Sequence, residues 1–457
     1  MKVTEYKRSI SDKKISVVGI GVSNVPLIKF LSGSGAKVTA HDKRTAEQLA
    51  EAYTDLKALG VEFVLGEEYL DRIPKDTDVI FKTPGLRPDA EQLVQAAEKG
   101  AVITSEMELF FELCPCKIIA VTGSDGKTTT TSLIGEMLKR EGYTTYIGGN
   151  IGKPLLDQVE NMTADDKVVL ELSSFQLFSM KHSADVAVVT NVTPNHLDWH
   201  KDFDEYIQSK KSIFKHNKDC RVVLNYDNEI TRAFKADAEN SMYFSRMKEL
   251  DEGVILKDGK IVLRVDGEER EIISAEDIKI PGTHNVENYM AAIGAVYPFV
   301  SVETIDYTAK NFGGVPHRIE LVRELDGVKY YNDSIASSPT RTTAGLKSFN
   351  KPVILIAGGY DKKIPFDEFG SVVNDYVKEL VLVGVTSEKI ENAVRNAPNY
   401  NGLNIHRETD FKAAVLKARE CAKMGDVVIL SPACASFDLF KNFEERGNTF
   451  KRIVADL

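Results

Sequence analysis

The chain has one tryptophan and only five cysteines in 457 residues. Cys114 and Cys116 form the one close pair, with Pro115 between them, while Cys220, Cys421 and Cys434 stand alone. So sparse and odd a set excludes a disulfide scaffold, and no second pair completes a zinc site of paired cysteines. Reduced thiols in a cytoplasmic protein are the expectation. No apolar run approaches the roughly 18 residues of a membrane span. The opening MKVTEYKRSISDKK has no apolar segment ahead of its charges and reads as neither signal peptide nor transit sequence. Basic residues are not in excess: 58 Lys and Arg face 68 Asp and Glu, a net charge of −10. That balance argues against a protein that coats nucleic acid. It does not exclude a small anionic ligand, because backbone amides and one or two cations can hold a phosphate. Hydrophobic residues at 43% and charged residues at 28% suit domains with buried cores. At roughly 150 residues per domain the length predicts about three.

Strand-then-helix logic recurs along the chain. ISVVGIG (15–21) is a short apolar run ending in glycine, followed by the helical spacing of PLIKFLSGSG and a second strand, AKVTAHD (36–42); DVIFK (78–82) and AVITS (101–105) continue it. KIIAVTGSDGKTTTTSLIGEMLKREG (117–142) reads as strand, glycine-bearing loop and amphipathic helix, with further buried strands in VVLELSS, DVAVVTNVT and CRVVLNYD. Between 254 and 273 the turns Asp258-Gly259 and Asp266-Gly267 separate alternating runs, the signal of antiparallel hairpins. A third hairpin is predicted at Asp326-Gly327, then parallel-type strands in KPVILIAGG, KELVLVGV and GDVVILSPA. The fold class is therefore α/β, with a Rossmann-like N-terminal domain (1–105), a central P-loop ATPase-like parallel sheet with a small β-ribbon (106–314), and a Rossmann-like C-terminal domain (315–457).

Gly123-Ser124-Asp125-Gly126-Lys127-Thr128-Thr129 lies where a strand hands over to a helix. Glycines let the backbone wrap an anion, the helix N-terminus aims free N–H groups at it, and Lys127 adds a point charge. Thr128 can place a hydroxyl on Mg²⁺. The strict pattern has glycine where this chain has Val121, so the loop is a variant. Gly19-Ile20-Gly21 with Asp42 about 20 residues on is an incomplete dinucleotide fingerprint, Asn24 replacing its third glycine. It points to a diphosphate-bearing ligand more than to NAD. Glu171 and His196 fall at or just after the carboxyl ends of buried strands, where open parallel sheets bind ligands; beside a phosphate loop they are natural Mg²⁺ ligands or positioning groups. Read alone, Lys210-Lys211 is a solvated helix face, and Asn285 is equally an N-cap. Cys434, with no evident histidine partner, reads as structural.

TGSDGKTT, GGNIG, ELSSFQL, NVTPNHLD, GTHNVEN, PHR, NDS and LSPACASFDLFKNFEERG occur in this order over the whole chain. The set resembles the Mur ligase family, and the closing segment and overall length are most like its D-glutamate-adding branch. The resemblance implies a cytoplasmic ligase of peptidoglycan precursor synthesis. In it ATP phosphorylates the carboxylate of UDP-N-acetylmuramoyl-L-alanine, and the amine of D-glutamate attacks the acyl phosphate. It further implies a monomer acting on small molecules, with no nucleic acid or membrane partner, and a third domain that closes over the second to exclude water. Carried over residue by residue, it gives Gly123, Ser124, Asp125, Gly126, Lys127, Thr128, Thr129, Asn285, Asn288, Arg318 and Asp333 to ATP. Two Mg²⁺ would use Thr128, Glu171, His196 and Lys210, the last carbamylated by CO₂; Lys127, Glu171, His196 and Lys210 would be catalytic. Gly21, Val22, Ser23, Lys43, Arg44, Thr83, Pro84 and Gly85 would hold UDP, and Asn150, Ser173 and Gln176 the muramoyl-alanine end. Ser337, Lys362, Ser436 and Phe443 would take D-glutamate.

This chain departs from the family's Asn-Asp-Ser-Lys-Ala-Thr run at Ile335 and Ser337, which removes a cation and a threonine. Lys363 is one candidate to replace the charge. Two other classes compete. A nucleotide switch would carry an Asn-Lys-x-Asp guanine signature, which is absent; an NAD-dependent oxidoreductase is disfavoured by Asn24 and by the second phosphate loop.

Overall fold

The computed structural model describes residues 1–457. The chain forms two compact units, Met1–Ser274 with Glu287–Thr308, and Ala275–Val286 with Ala309–Leu457. No helix is long and apolar enough to cross a membrane.

The first unit carries two sheets. Lys14–Val18 (β1), Lys37–Asp42 (β2), Glu62–Leu65 (β3), Val79–Lys82 (β4) and Val102–Thr104 (β5) form a parallel sheet in the order β3-β2-β1-β4-β5. The order reverses between β1 and β4, so the crevice for a ligand opens at the carboxyl ends of those two strands. The second sheet contains Lys117–Thr122 (β6), Thr145–Gly149 (β7), Lys167–Glu171 (β8), Val186–Val189 (β9), Arg221–Asn225 (β10), Ser241–Ser245 (β11), Gly253–Lys257 (β12), Lys260–Val265 (β13) and Glu268–Ser274 (β14), in the order β14-β13-β12-β11-β10-β9-β6-β8-β7. Strands β6 to β12 pair in parallel, and β13 and β14 add antiparallel. The expected ribbon is thus the edge of the main sheet. Its two turns have positive φ at both central residues, Asp258 and Gly259 (49° and 76°) and Asp266 and Gly267 (56° and 77°), as two-residue hairpins of right-handed twist require.

One apolar cluster joins these sheets. It runs from Val17 and Phe81 through Leu109 and Phe110 of the helix Glu106–Leu113 to Ala120 and Leu170. The helix starts at Ser105, whose hydroxyl accepts from the Glu108 amide as an N-cap. Fully burying a side chain such as Phe110 contributes roughly 1.5–3 kcal/mol, so the two sheets are held by a shared core.

The second unit is built on Glu320–Leu325 (β15), Val328–Asn332 (β16), Val353–Ala357 (β17), Val377–Leu382 (β18), Asn404–Arg407 (β19) and Val427–Leu430 (β20), ordered β15-β16-β20-β17-β18-β19. Only β15 runs antiparallel, through the expected hairpin at Asp326-Gly327.

Lys82, the last residue of β4, is only 2% exposed and its Nζ has no hydrogen-bond partner. Burial pulls its pKa down to about 8, against the pull of Glu108. Between that value and the ordinary 10.5 the unfolded chain binds more protons than the folded one, so stability rises with pH across that window. Lys82→Met is therefore expected to raise the melting midpoint at pH 7 by several degrees, from about 1–3 kcal/mol of relieved desolvation. The gain should shrink by pH 10; an equal gain at both pH values in parallel melts refutes this account.

Candidate active site

In the first sheet the loop after β1 and the turn after β4 face one crevice. Gly19 has φ of 88°, and a Cβ there would meet Thr83 at 3.0 Å. Asn24 closes the loop in place of a third glycine, its side-chain amide donating to the Gly19 carbonyl at 2.7 Å. Asp42, at the end of β2, accepts from the Ile20 amide at 2.7 Å and from the Arg44 side chain at 2.8 and 2.9 Å. Hydrogen bonds from Arg44 and from the Ile20 amide outweigh burial and hold its carboxyl below the usual range. Asp42 is thus committed to fixing the loop. Gly21, Val22 and Ser23 lie beyond it with Val22 81% exposed, and Lys43 pairs with Glu67 at the surface. Thr83, Pro84 and Gly85 follow β4 directly.

In the second sheet β6 delivers the phosphate loop to the helix Lys127–Glu141. Gly126 is its N-cap with φ of 79°, and a Cβ there would collide with Asn288 Oδ1. A Cβ on Gly123 would strike Thr190 Oγ1. Lys127 Nζ folds back to the Gly123 and Ser124 carbonyls at 3.0 and 2.9 Å. The Asp125 amide donates to Asn191 Oδ1 at 3.0 Å, and Ser124 Oγ lies 2.9 Å from Tyr206 Oη. Thr128 is buried, Thr129 follows it in the helix, and Thr130 Oγ1 meets Asn288 Oδ1 at 3.3 Å.

Glu171, at the end of β8, is 2% exposed. Its Oε1 accepts from Asn150 Nδ2 at 2.8 Å, whereas Oε2 is buried without a partner. A buried carboxylate oxygen with nothing to bond fits a hard cation. Lys210, on the helix Phe203–Lys215, is 1% exposed, so the solvated-face reading fails. Its Nζ donates to the Gly123 carbonyl at 2.9 Å and lies 4.6 Å from the Tyr206 ring centroid. Burial first, then the charge of Lys127, hold this amine well below the ordinary lysine value. His196 is exposed, with φ of 55°, its ring 4.8 Å from that of Phe175. Partial desolvation of the ring lowers its pKa despite Asp198, and Lys127 and Lys210 lower it further. Ser173 and Gln176 satisfy one another in a capping box. The structure thus gathers Thr128, Glu171, His196 and Lys210 about one loop.

A stitch links the segment that follows His196 to the crevice of the first sheet. Arg87 donates to both oxygens of Glu205 (2.8 and 3.1 Å) and to the Trp199 carbonyl (3.0 Å), and the Trp199 indole donates to the Gly85 carbonyl at 2.9 Å. Arg87 also sits 5.0 Å from the Trp199 ring and 5.1 Å from Phe178. The hydrogen bonds from Arg87 pull the Glu205 carboxyl down to about 2.

Asn285, Arg318 and Asp333 belong to the second unit. Asn285 is not an N-cap: it lies inside the helix Thr283–Val296 and its amide turns back to the Pro281 carbonyl at 2.6 Å. Asp333 is wholly buried, accepts from Ser431 Oγ at 2.7 Å, and is pushed up to about 7 by burial, against Ser431 and Arg318. Lys362 Nζ reaches Ser337 Oγ at 3.3 Å. Ser436 is buried, and Phe443 opens the last helix, its carbonyl accepting from Ser334 Oγ at 2.8 Å. Cys434 is 3% exposed, its thiol raised to about 11 by burial, as suits a structural residue.

Three family profiles match this chain: the MurD-like N-terminal domain of Mur ligases over residues 13–105, the Mur ligase middle domain over 121–296, and the Mur ligase glutamate ligase domain over 317–434. A UDP-N-acetylmuramoylalanine--D-glutamate ligase of Acetivibrio thermocellus is 54% identical, the match covering 99% of this chain and 98% of that protein. One of the same name from Ruminiclostridium cellulolyticum is 51% identical over 100% and 99%. The chain belongs to the Mur ligase family. A solved structure of the UDP-N-acetylmuramate-alanine ligase MurC from Thermotoga maritima shares the Mur ligase fold, with a TM-score of 0.55 at 18% identity, over 97% of this chain and 100% of that one.

Two residues of this Mur ligase escape sequence reasoning. Arg446, 3% exposed, donates to the Ser334, Cys434 and Ala435 carbonyls at 2.9, 3.1 and 3.0 Å and so ties two loops of the C-terminal crevice. Arg341, in the first turn of the helix Pro339–Leu346, donates to the Ile335 carbonyl at 3.4 Å.

Proposed function

We infer that this Mur ligase joins D-glutamate to UDP-N-acetylmuramoyl-L-alanine in an ATP-dependent step of peptidoglycan precursor synthesis. The full-length identity to two ligases of that name supports the substrates. The observation that carries the chemistry is the phosphate loop, with Lys127 folded over it and a buried, half-unpartnered Glu171 beside it. That arrangement suits transfer of a phosphoryl group to a carboxylate, because charge grows on the moving group where Lys127 and the helix N-terminus can meet it. The acyl phosphate so formed makes phosphate the leaving group when the D-glutamate amine attacks. ATP would lie against Gly123 to Thr129 and Asn288, UDP against the crevice of the first sheet with Lys43 and Arg44, and the muramoyl-alanine end against Asn150, Ser173, Gln176 and His196.

Thr128, Glu171, His196 and a carbamate on Lys210 would hold two Mg²⁺, which when bound neutralise phosphate oxygens. Carbamylation needs an uncharged amine: Nζ attacks CO₂, an N–C bond forms, and one proton leaves to water. Burial and the adjacent Lys127 favour that uncharged state against the weaker pull of Asp125, and the hydrogen-bond partners of Nζ are the Thr122 hydroxyl and the Gly123 carbonyl. The reading further proposes a cytoplasmic monomer with ligand domains at 1–105, 106–314 and 315–457, a division that the spans of the three family profiles support.

D-glutamate would be held by Ser337, Lys362, Ser436 and Phe443. Arg341 is the cation that best offsets the loss at Ile335, since its guanidinium reaches that very carbonyl. Lys363 instead extends from a backbone of φ 59° whose amide bonds Asp361. Arg341→Ala is expected to raise KM for D-glutamate about tenfold or more, the worth of one charge-assisted hydrogen bond, with KM for ATP unchanged. An unaltered KM for D-glutamate removes Arg341 from the pocket.

The reading is tested by phosphate release from ATP with UDP-N-acetylmuramoyl-L-alanine and D-glutamate, L-glutamate, L-lysine or no amino acid. Release only with D-glutamate is expected. Release with another amino acid keeps the ligase and moves its specificity; no release with any overturns the reading.

A further inference from the structure

The C-terminal sheet carries a second constellation, made of three different donors. Glu379 lies in β18, His406 in β19, and Cys421 ends the helix Phe411–Cys421. The register pairs Glu379 with Asn404 and Val381 with His406, so both side chains project from the sheet face that this helix covers. One ligand atom of each lies within 4.8 Å of the other two. His406 Nε2 is 3.0 Å from Glu379 Oε2 and 3.6 Å from Cys421 Sγ. The other carboxylate oxygen, Oε1, is fixed by Asn404 Nδ2 at 3.0 Å.

Hydrogen bonds alone use this trio only in part. As a donor, Nε2 has one proton for two acceptors, the Glu379 carboxylate and the Cys421 sulfur. As an acceptor it takes the thiol proton but sets its lone pair against the carboxylate. A dication at the centre uses all three lone pairs at once. Tetrahedral zinc with bonds of about 2.0–2.3 Å has oxygen–nitrogen and sulfur–nitrogen edges of about 3.3 and 3.6 Å, close to the separations seen. The neighbouring cations are already engaged, Lys378 with Asp426 at 2.7 Å and Lys417 with Glu420 at 2.6 Å. His406 is 30% exposed at its side chain and Glu379 18%, which leaves a path for the ion and room for water as a fourth ligand.

We propose that Glu379, His406 and Cys421 form a binding site for a borderline-soft divalent metal ion of the Zn²⁺ class. A thiolate and an imidazole select against Mg²⁺, so the site is chemically separate from magnesium binding at the phosphate loop. On binding, the Cys421 thiol loses its proton to water and its sulfur bonds the metal; no electrons are transferred.

The test uses the full chain, stripped of metal and kept reduced. Titration with Co²⁺ is expected to produce a thiolate-to-cobalt charge-transfer band that saturates at one equivalent. Zn²⁺ should bleach the band and excess Mg²⁺ should not. Cys421→Ser should lose the band, His406→Ala should weaken Zn²⁺ at least about tenfold, and Cys114→Ser should change neither. Circular dichroism and phosphate release verify that each variant is folded. If His406→Ala does not fold, Glu379→Gln takes its place with the same expectation. No band in the parent protein, or a band that survives Cys421→Ser, overturns the site.

Discussion

Lys127→Ala should reduce ATP-dependent phosphate release by about a thousandfold or more, with the fold intact. The expectation rests on where Nζ is held: at the Gly123 and Ser124 carbonyls, over the loop that opens the helix Lys127–Glu141. Removing one preorganised donor aimed at developing charge costs about 2.7–4 kcal/mol of transition-state stabilisation, or a factor of 10²–10³; loss of a full positive charge in the same place should cost no less. Melting curves should move far less than activity, because Lys127 is itself only half-buried. A Lys127→Ala protein that still hydrolyses or transfers at a tenth of the parental rate removes the phosphate loop from the chemistry.

Lys210→Ala is expected to be nearly as damaging, and to differ in being repairable. If Lys210 acts as a carbamate, what the variant lacks is a carboxylate, and formate or acetate can diffuse into the space left by the side chain. Activity should fall by at least about a hundredfold and recover in part with rising acid concentration, saturably. Lys127→Ala should show no such recovery. Full activity of Lys210→Ala would sink the assignment, and an absence of rescue at every concentration would count against the carbamate while leaving a role for the amine. Lowering CO₂ in the parent assay gives an independent reading, since the N–C bond forms only while CO₂ is supplied.

Much of this was legible because it is local. A strand, a glycine loop and a helix N-terminus are contiguous in 117–142, so the phosphate loop could be read with its fold. The Asp-Gly turns gave up their hairpins for the same reason, since positive φ at two successive residues is a property of the dipeptide. Short strands were harder. Thr145–Gly149, Ser241–Ser245 and Asn404–Arg407 carry little apolar signal and exist because neighbouring strands offer them partners. Within the site, long-range pairing hid the rest. Lys210 reads as a solvated basic residue until the helix packs it beneath the Gly123 carbonyl, and Arg446 contacts Ser334 across 112 residues of sequence. No spacing rule reaches so far. The capping role left open for Asn285 failed by three residues of helix boundary, since the helix already begins at Thr283, and boundaries are the least certain feature of any sequence reading.

With UDP bound as proposed, the stitch from Arg87 and Trp199 would make the first unit a measuring device. Gly85, at the crevice proposed for UDP, and the loop that bears His196 are bonded through the same tryptophan, and a common core lies beneath both. A nucleotide-sugar anchored at the proposed crevice would present its far end at a set distance from the phosphate loop. An acceptor bearing one amino acid and one bearing two differ by about 3.3–3.6 Å of extended chain, more than a rigid frame absorbs. Acceptor length would thus be gauged by protein stiffness, with no side chain needed to inspect the extra residue.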